Sequence, residues 1–320
     1  MMHGVCDFQN SIKEIMADKT PKVSVCVVTY NQEKYINECL QSILDQKTDF
    51  LFEVIVSDDC STDGTALIIE EFSKKYPSVV KVVSRRKNVG AVENFISAHN
   101  LSKAEFVSHC DGDDIFLPGK LQKQVDYLNA NPDCTVTWHR VNSFDDQGNF
   151  FPGELGSSSI FENGVVTFSQ ALRFGTVGGH STIMYRRSAR KTTCPGFDVL
   201  DLFYSWEYLS SGWGVILDDV LGEYRVNSTG AVSKSTHSKI RALNAHHSEY
   251  YLIKYPERRA DIFIFAFTNF LIDVKNRRKT AIDFLILMLR SFSFISPIDF
   301  VFHLRKANKL RIPVLSEKRK

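Results

Sequence analysis

Between residues 22 and 110 the chain alternates two kinds of segment, and this alternation restricts its fold more than any other feature. The run "KVSVCVVTY" (22–30) is β-branched and apolar, the pattern of a strand buried on both faces. The next stretch, "NQEKYINECLQSILDQ" (31–46), sets Tyr35, Ile36, Cys39, Leu40, Ile43 and Leu44 at helical spacing. Strand-like 52–59, helix-like 65–76, strand-like 79–85, helix-like 91–102 and strand-like 104–110 follow. Parallel strands need long crossovers, which helices supply, so this order predicts a parallel sheet with helices on both faces.

Open parallel sheets bind ligands beyond the carboxyl ends of their strands. Four such ends here are polar: Thr29-Tyr30-Asn31, Asp58-Asp59, Asn88-Val89-Gly90 and Asp111-Gly112-Asp113-Asp114. The last lies in "SHCDGDDIFLPGK", where three carboxylates occupy four positions and Gly112 permits a tight turn. Hard divalent cations take carboxylate oxygens, and magnesium uses one or two of them beside phosphate and water. The acidic turn is therefore read as a cation site with a further carboxylate for a ribose hydroxyl. Lys120 and Gln124, one helical turn apart behind it, are read as structural.

A second acidic stretch, "DCSTDGTALIIE" (59–70), imitates a calcium-binding EF-hand loop. An EF-hand requires a preceding helix, and "FEVIVS" is a strand pattern. The expectation is a turn in which Asp63 or Thr62 caps the next helix and Asp59 faces a ligand. Neither GxxxxGK[ST] nor GxGxxG occurs, so a bound phosphate would be held by metal and not by a glycine-rich cradle.

Past residue 150 the pattern loosens. Residues 145–159 and 176–182 read as flexible polar loops, and from about 236 the chain reads as helical, with apolar clusters at 262–272 and 284–289. Charge divides along the same line. Residues 239–320 carry 17 Lys and Arg against 7 acids, leaving 22 against 30 for residues 1–238. An acidic body joined to a basic tail implies separate partners, while the net charge of +2 gives no argument for nucleic acid. The seven cysteines show no CxxC spacing, which fits free thiols in a reducing compartment. The first residues have no apolar core of signal-peptide length, and no run of 18 apolar residues predicts a membrane span.

Taken together, "VSVCVVTYNQEKYINECLQSILDQ", "EVIVSDDCSTDGT", "NVGAVENF" and "CDGDDIFLPGKLQKQ" resemble the family 2 glycosyltransferases of GT-A fold. The likeness continues more thinly through "GGHSTIMYRRS" and "DLFYSWEYLSSGWGVILDDVLGEYRV". It implies a Rossmann-like, mostly parallel sheet flanked by helices. The implied domains are an extension (1–21), a catalytic domain (22–235) split into a nucleotide-sugar half (22–130) and an acceptor half (131–235), and a basic helical region (236–320).

By position, the resemblance places Tyr30 and Asn31 at the nucleotide base, Asp59 on a uracil or thymine ring, and Asn88 near the donor. Asp111 would contact the ribose and, with Asp113, hold Mn2+ or Mg2+ between the phosphates; Asp114 would stand behind them. The family's base is a carboxylate opening a helix eleven residues before a glycine. Asp201, followed by Gly212, matches it, with Asp198 in reserve. Leu200 stands where relatives often have Gly or Glu, and Cys60 where they often have Gly. His180 and Trp206 are further candidates for acceptor contacts, although a loop role and a core role are the plainer alternatives.

The implied reaction is inverting: Asp201 takes a proton from an acceptor hydroxyl as it attacks the anomeric carbon, and the metal neutralises the leaving nucleoside diphosphate. The implied donor is a UDP- or dTDP-sugar. The acceptor would be a glycan or polyprenyl-diphosphate-linked sugar in bacterial surface polysaccharide assembly, such as O-antigen or capsule. The expected location is cytoplasmic, with the basic helices either meeting the anionic inner membrane face or packing on protein, including a second copy. The alternatives are a non-catalytic nucleotide-sugar-binding scaffold and a sugar-phosphate nucleotidyltransferase.

Overall fold

In the computed structural model, residues 20–151, 161–175, 177–226, 234–293 and 300 are described. The N-terminal extension to residue 19, the glycine- and serine-rich part of the 145–159 loop, and the basic clusters at 303–309 and 317–320 lie outside them.

The elements run β1 (Val23–Thr29), α1 (Ile36–Leu44), β2 (Phe52–Asp58), α2 (Thr65–Lys75), β3 (Val80–Val83), α3 (Ala91–Leu101), β4 (Phe106–Asp111), β5 (Ile115–Phe116) and α4 (Lys120–Ala130). Then come β6 (Cys134–Phe144), β7 (Phe150–Phe151), β8 (Val165–Val166), α5 (Phe168–Phe174), β9 (Met184–Arg186), α6 (Asp201–Leu209), β10 (Trp213–Arg225), α7 (Lys234–Lys254), α8 (Arg259–Lys275) and α9 (Ala281–Arg290). They form two compact units. One runs to Tyr127 and includes Met184–Ser188; the other comprises Leu128–Ile183 and the chain from Ala189 onward.

The first unit is the expected parallel sheet, in the order β3-β2-β1-β4, with β9 added antiparallel to β4. Val23, Val25, Cys26 and Val27 of β1 are fully buried, as a central strand covered on both faces requires. Helix α1 buries Ile36, Cys39, Leu40 and Ile43, and α3 buries Phe95, Ile96, Ala98 and His99. Each large aliphatic side chain so buried contributes about 1.5–3 kcal/mol. Helix α1 opens at Ile36, five residues after the start of the helix-like stretch 31–46. Asn31 takes a left-handed φ of 53°, which breaks helical continuity, and residues 31–35 form a loop.

In the second unit, β10 runs parallel to β6, with register shifts between Leu217 and Val220 and between Val220 and Gly222. Antiparallel β7 and β8 pair with β6 and β10 respectively. Gly164 adopts φ +70°, and a Cβ there would lie 2.4 Å from the Ile216 carbonyl oxygen, so no other residue fits beside this strand. Helices α5 to α8 pack around Trp206 of α6. Its indole meets Tyr251 and Phe265 edge-on, and its Nε1 donates to the Ala171 carbonyl at 3.0 Å.

The basic C-terminal helices thus pack by one face on this unit. Asp261 of α8 accepts from Ser169 at 2.9 Å and from Arg173 at 2.5 Å, both on α5. Asp273 is fully buried, 2.6 Å from Nε of Arg241 on α7, and accepts from Thr280 Oγ1 at 2.6 Å. Removing one partner of a buried ion pair strands the other. Asp273→Ala is expected to cost about 3–5 kcal/mol in urea unfolding. Asp273→Asn, which can still accept from Thr280, is expected to cost clearly less.

Candidate active site

The loops after β1 and β2 are strapped to each other by side chains. Asn31 N–H donates to Ser61 Oγ, and Asn31 Oδ1 accepts from Thr62 N–H, both at 2.8 Å. Gln32 N–H donates to Thr65 Oγ1 at 2.8 Å, and Gly64 N–H donates to Glu33 Oε2 at 2.6 Å. Gly64 holds the position before α2, and Asp63 still accepts from the first helical N–H, that of Thr65, at 3.0 Å. The preceding element is the strand β2, so the EF-hand geometry is absent from this stretch. Cys60, standing where the resembling family often has glycine, takes a left-handed φ of 61°. For a residue with a Cβ this conformation costs about 1–2 kcal/mol.

Asp59 is the hinge between these loops and the next. Its Oδ1 accepts from Val89 N–H and its Oδ2 from Gly90 N–H, each at 2.8 Å. Asn88 Nδ2 returns a bond to the Asp59 carbonyl at 3.1 Å. Asn94, buried on α3, accepts from Ser57 Oγ at 2.6 Å and from Arg85 Nε at 3.1 Å.

These groups rim one cleft of about 410 Å³, the size of a small-molecule site. Val28, Thr29, Tyr30 and Gln32 line it from the β1 side, Asp59, Asn88, Gly90, Ala91 and Asn94 from the neighbouring loop and α3, and Asp111 and Asp113 from the acidic turn. Tyr30 is 47% exposed, its ring available for stacking. Of the seven first-half site residues named from sequence, the cleft brings together Tyr30, Asp59, Asn88, Asp111 and Asp113. Asn31 lies outside the lining, its amide turned to Thr62, and Asp114 is buried under the turn. Gln32 and Asn94 were missed. Gln32 lies three residues past the end of β1, which was a usable signal, whereas Asn94 is the fourth residue of a helix that looked structural.

Under the turn, Lys120 is fully buried, with Nζ 3.2 Å from Ser108 Oγ and 3.6 Å from the centre of the Phe116 ring. Burial pushes its amine down to about 7, against the opposing pull of Cys110, Asp114 and Cys39. The same burial raises the Cys110 thiol well above its ordinary value.

In the second unit, Asp201 opens α6 with its Oδ1 on the Leu202 N–H at 2.7 Å, so the carboxylate sits at the positive end of the helix. Asp198 is half exposed and paired with Lys239 at 2.7 Å. Glu207, on the same helix, is buried and accepts from Lys191 N–H, Thr192 N–H and Thr192 Oγ1, which commits it to holding the 191–192 backbone. His180 begins a short 3-10 turn and is half-buried. Trp206 is wholly buried, and this corrects its placement among acceptor contacts: an indole enclosed by Tyr251 and Phe265 offers no face to a sugar. His247 is also fully buried, its Nε2 donating to the Asp198 carbonyl at 3.1 Å. Burial lowers its imidazole to about 4, with the Asp198 hydrogen bond and the Asp201 charge opposing.

An acidic cleft at the carboxyl ends of a parallel sheet, without a glycine-rich phosphate loop, is the arrangement of the GT-A nucleotide-diphospho-sugar transferase fold. The chain belongs to glycosyl transferase family 2, whose profile matches residues 24–192. An uncharacterized protein of Mycobacterium tuberculosis is 39% identical over 127 residues, 39% of this chain and 37% of that one. The Bacillus subtilis protein named as the teichuronic acid biosynthesis glycosyltransferase TuaG is 26% identical over 213 residues, 66% of this chain and 81% of that one. Among solved structures, S. aureus TarS 1-349 in complex with UDP-GlcNAc superposes with a TM-score of 0.61 at 22% identity, over 90% of this chain and 83% of that one. The match spans little more than a third of the mycobacterial relative's length.

Two outcomes follow from this geometry. A Cβ on Gly112 would lie 2.6 Å from Gln32 Oε1 and 2.9 Å from Thr29 Oγ1, so Gly112→Ala must displace the cleft wall. It is expected to cost about 1–3 kcal/mol in stability, with nucleotide affinity in calorimetry falling about tenfold, roughly 1.4 kcal/mol. His247 has a folded-state value below its unfolded value, so the unfolded chain binds the extra proton. Its contribution is full above about pH 6.5 and is lost as pH falls towards 4. Urea unfolding at pH 7 and pH 5 should show His247→Leu escaping about 2 kcal/mol of the wild-type loss.

Proposed function

We propose that this chain is a metal-dependent, inverting glycosyltransferase that moves a sugar from a UDP- or dTDP-sugar to a hydroxyl of a glycan or polyprenyl-diphosphate-linked acceptor in surface polysaccharide assembly. The observation that carries this is the gathering of Asp59, Asp111 and Asp113 with Tyr30 in one cleft at the carboxyl ends of β1, β2 and β4. In support, Tyr30 has an exposed ring for a base, and each Asp59 oxygen, already holding one backbone N–H, keeps a lone pair for a pyrimidine N–H. The family and the name borne by TuaG support the polysaccharide setting.

Asp111 and Asp113 fit a hard cation: both are partly exposed carboxylates lining the cleft, and among the described residues Asp59 is the one further acid that lines it. A bound Mn2+ or Mg2+ supplies charge neutralisation of the departing diphosphate. Asp111 and Asp113 would hold it, and Asn88 and Gly90 would border the donor. Asp201 is assigned the base, since a half-buried carboxylate at a helix start can be fixed in direction while staying ionised to take the acceptor proton.

Peripheral contact with an anionic membrane is part of the same proposal. Ile282, Ile286 and Leu289 of α9 are 63%, 51% and 65% exposed on one helical face, preceded by exposed Lys275, Arg277, Arg278 and Lys279. Among the described residues no helix is long and apolar enough to cross a membrane.

The deciding experiment is calorimetry of UDP, dTDP and GDP, with and without Mn2+, on wild type and Asp113→Ala. Binding of one nucleotide that needs both Mn2+ and Asp113 is expected; metal-independent binding, or none, overturns the assignment. Asp201→Asn should lower turnover about 10²–10⁴-fold while leaving Mn2+-dependent nucleotide affinity unchanged. Unchanged turnover removes Asp201 as the base.

A further inference from the structure

Behind the acidic turn, three buried side chains from three elements form an unbroken hydrogen-bonded line to Asp111. Tyr185 on β9 places its hydroxyl 2.7 Å from Nδ1 of His99 on α3. His99 Nε2 lies 3.0 Å from Nδ1 of His109 on β4. His109 Nε2 lies 3.1 Å from Oδ1 of Asp111, which lines the cleft. Tyr185 and His109 are fully buried and His99 is 2% exposed, so the line runs entirely inside the first unit until it meets the site. Phe95 packs against both imidazoles in tilted contacts, at 4.0 Å and 5.2 Å between ring centres, which limits their rotation.

We propose that Tyr185, His99 and His109 are positioning residues: a buried relay that fixes the Asp111 carboxylate and so sets how strongly the cleft holds a divalent cation with a nucleoside diphosphate. This rests on the donor-site reading of the cleft. An ionised carboxylate only accepts, so His109 must present Nε2–H to it. With both rings neutral, one assignment of protons satisfies these three contacts. The Tyr185 hydroxyl donates to His99 Nδ1, His99 Nε2–H donates to His109 Nδ1, and His109 Nε2–H donates to Asp111 Oδ1. The line therefore has a direction, set at the Asp111 end, and its far end is a phenol whose hydroxyl donates to His99 Nδ1. Buried polar chains of this kind polarise along their length and rigidify the group they end on. Partners that orient a metal-binding carboxylate from behind typically change metal affinity 10–100-fold when removed.

The sequence carried no sign of this. His99 occupies a helix position with core spacing, His109 is one of six residues in a buried strand, and Tyr185 lies more than 70 residues away. Three buried residues of such polarity are costly unless joined, and here they are joined in a line that ends on a cleft carboxylate.

The test uses the full chain. Mn2+ binding is followed by the electron spin resonance of the free ion, with UDP present, in wild type, Asp113→Ala, His109→Ala, His109→Gln and Tyr185→Phe. The expected result is a loss of affinity of about tenfold or more in His109→Ala, partly restored in His109→Gln, whose amide N–H can still reach Asp111. Tyr185→Phe should shift affinity in the same direction by a smaller factor, with the fold retained and a melting temperature lowered by only a few degrees. Should His109→Ala fail to fold, Tyr185→Phe, which removes one oxygen atom, decides the matter. Nitrogen-15 spectra of the imidazoles without metal should show Nε2–H on both rings, and a redistribution on His99 in Tyr185→Phe. Mn2+ uptake that needs Asp113 but ignores both His109 and Tyr185 overturns the relay alone, as does a neutral His109 protonated at Nδ1. Absent uptake in wild type, or uptake unchanged in Asp113→Ala, overturns the donor-site reading and with it the relay's role in cation binding.

Discussion

The site depends on the register of one strand. β1 pairs in parallel with β2 on one side and β4 on the other, and the pairing sets Thr29 opposite Asp58 and Val28 opposite Asp111. A central strand buried on both faces has no side chain to spare for a ligand along its length, so chemistry is confined to its end. Because the strands are parallel and level, three ends reach the same height, and their loops have no choice but to meet. A slip of one residue would exchange the two buried faces of β1, misfitting its valines against the helices, and separate Asp111 from Asp59 together. Fold stability and site geometry are thus fixed by the same ladder of hydrogen bonds.

What the register brings near, side chains lock. Asn31 and Asp59 look from the sequence like ligand residues, since they are polar and lie at strand ends. In the fold each holds backbone of another loop: Asn31 the amide of Thr62, Asp59 those of Val89 and Gly90. For Asp59 the two roles are compatible, because a carboxylate oxygen accepts more than one bond. For Asn31 the loop contact takes the amide away from the cleft. Cys60 belongs to the same economy of the turn, where a left-handed residue is needed and the straps outweigh the local strain of having a Cβ.

The strands and helices of the first half were legible because a buried parallel strand and an amphipathic helix differ in period, and 22–110 keeps the two apart. The start of α1 was not, since apolar residues at helical spacing continue back through Tyr35 while the backbone of Asn31 forbids the helix. The carboxylates of the acidic turn were legible by density alone. Gln32 and Asn94 escaped because their roles depend on which way a side chain points in three dimensions. Trp206 shows the converse: an aromatic near a proposed base suggests sugar stacking, but five residues from Asp201 it turns into a ring of Tyr251 and Phe265 supplied by helices that are distant in sequence. The face of α7 to α9 that packs inward could not be known until those partners were placed.

Acidic groups this close also shape what lies beneath them. Asp111 and Asp113 share a cleft with Asp59, and the buried Asp114 stands behind them with Lys120 as its cationic neighbour. Burial makes that lysine's charge expensive, and its amine sits near neutrality at about 7, so it offsets the acidic turn only in part. Cys110, 3.6 Å from Cys39, is held as a neutral thiol by its burial. The interior under the turn therefore supports the backbone without cancelling the charge of the cleft. The acidic groups that line the cleft would favour a cation there, as the proposed function requires.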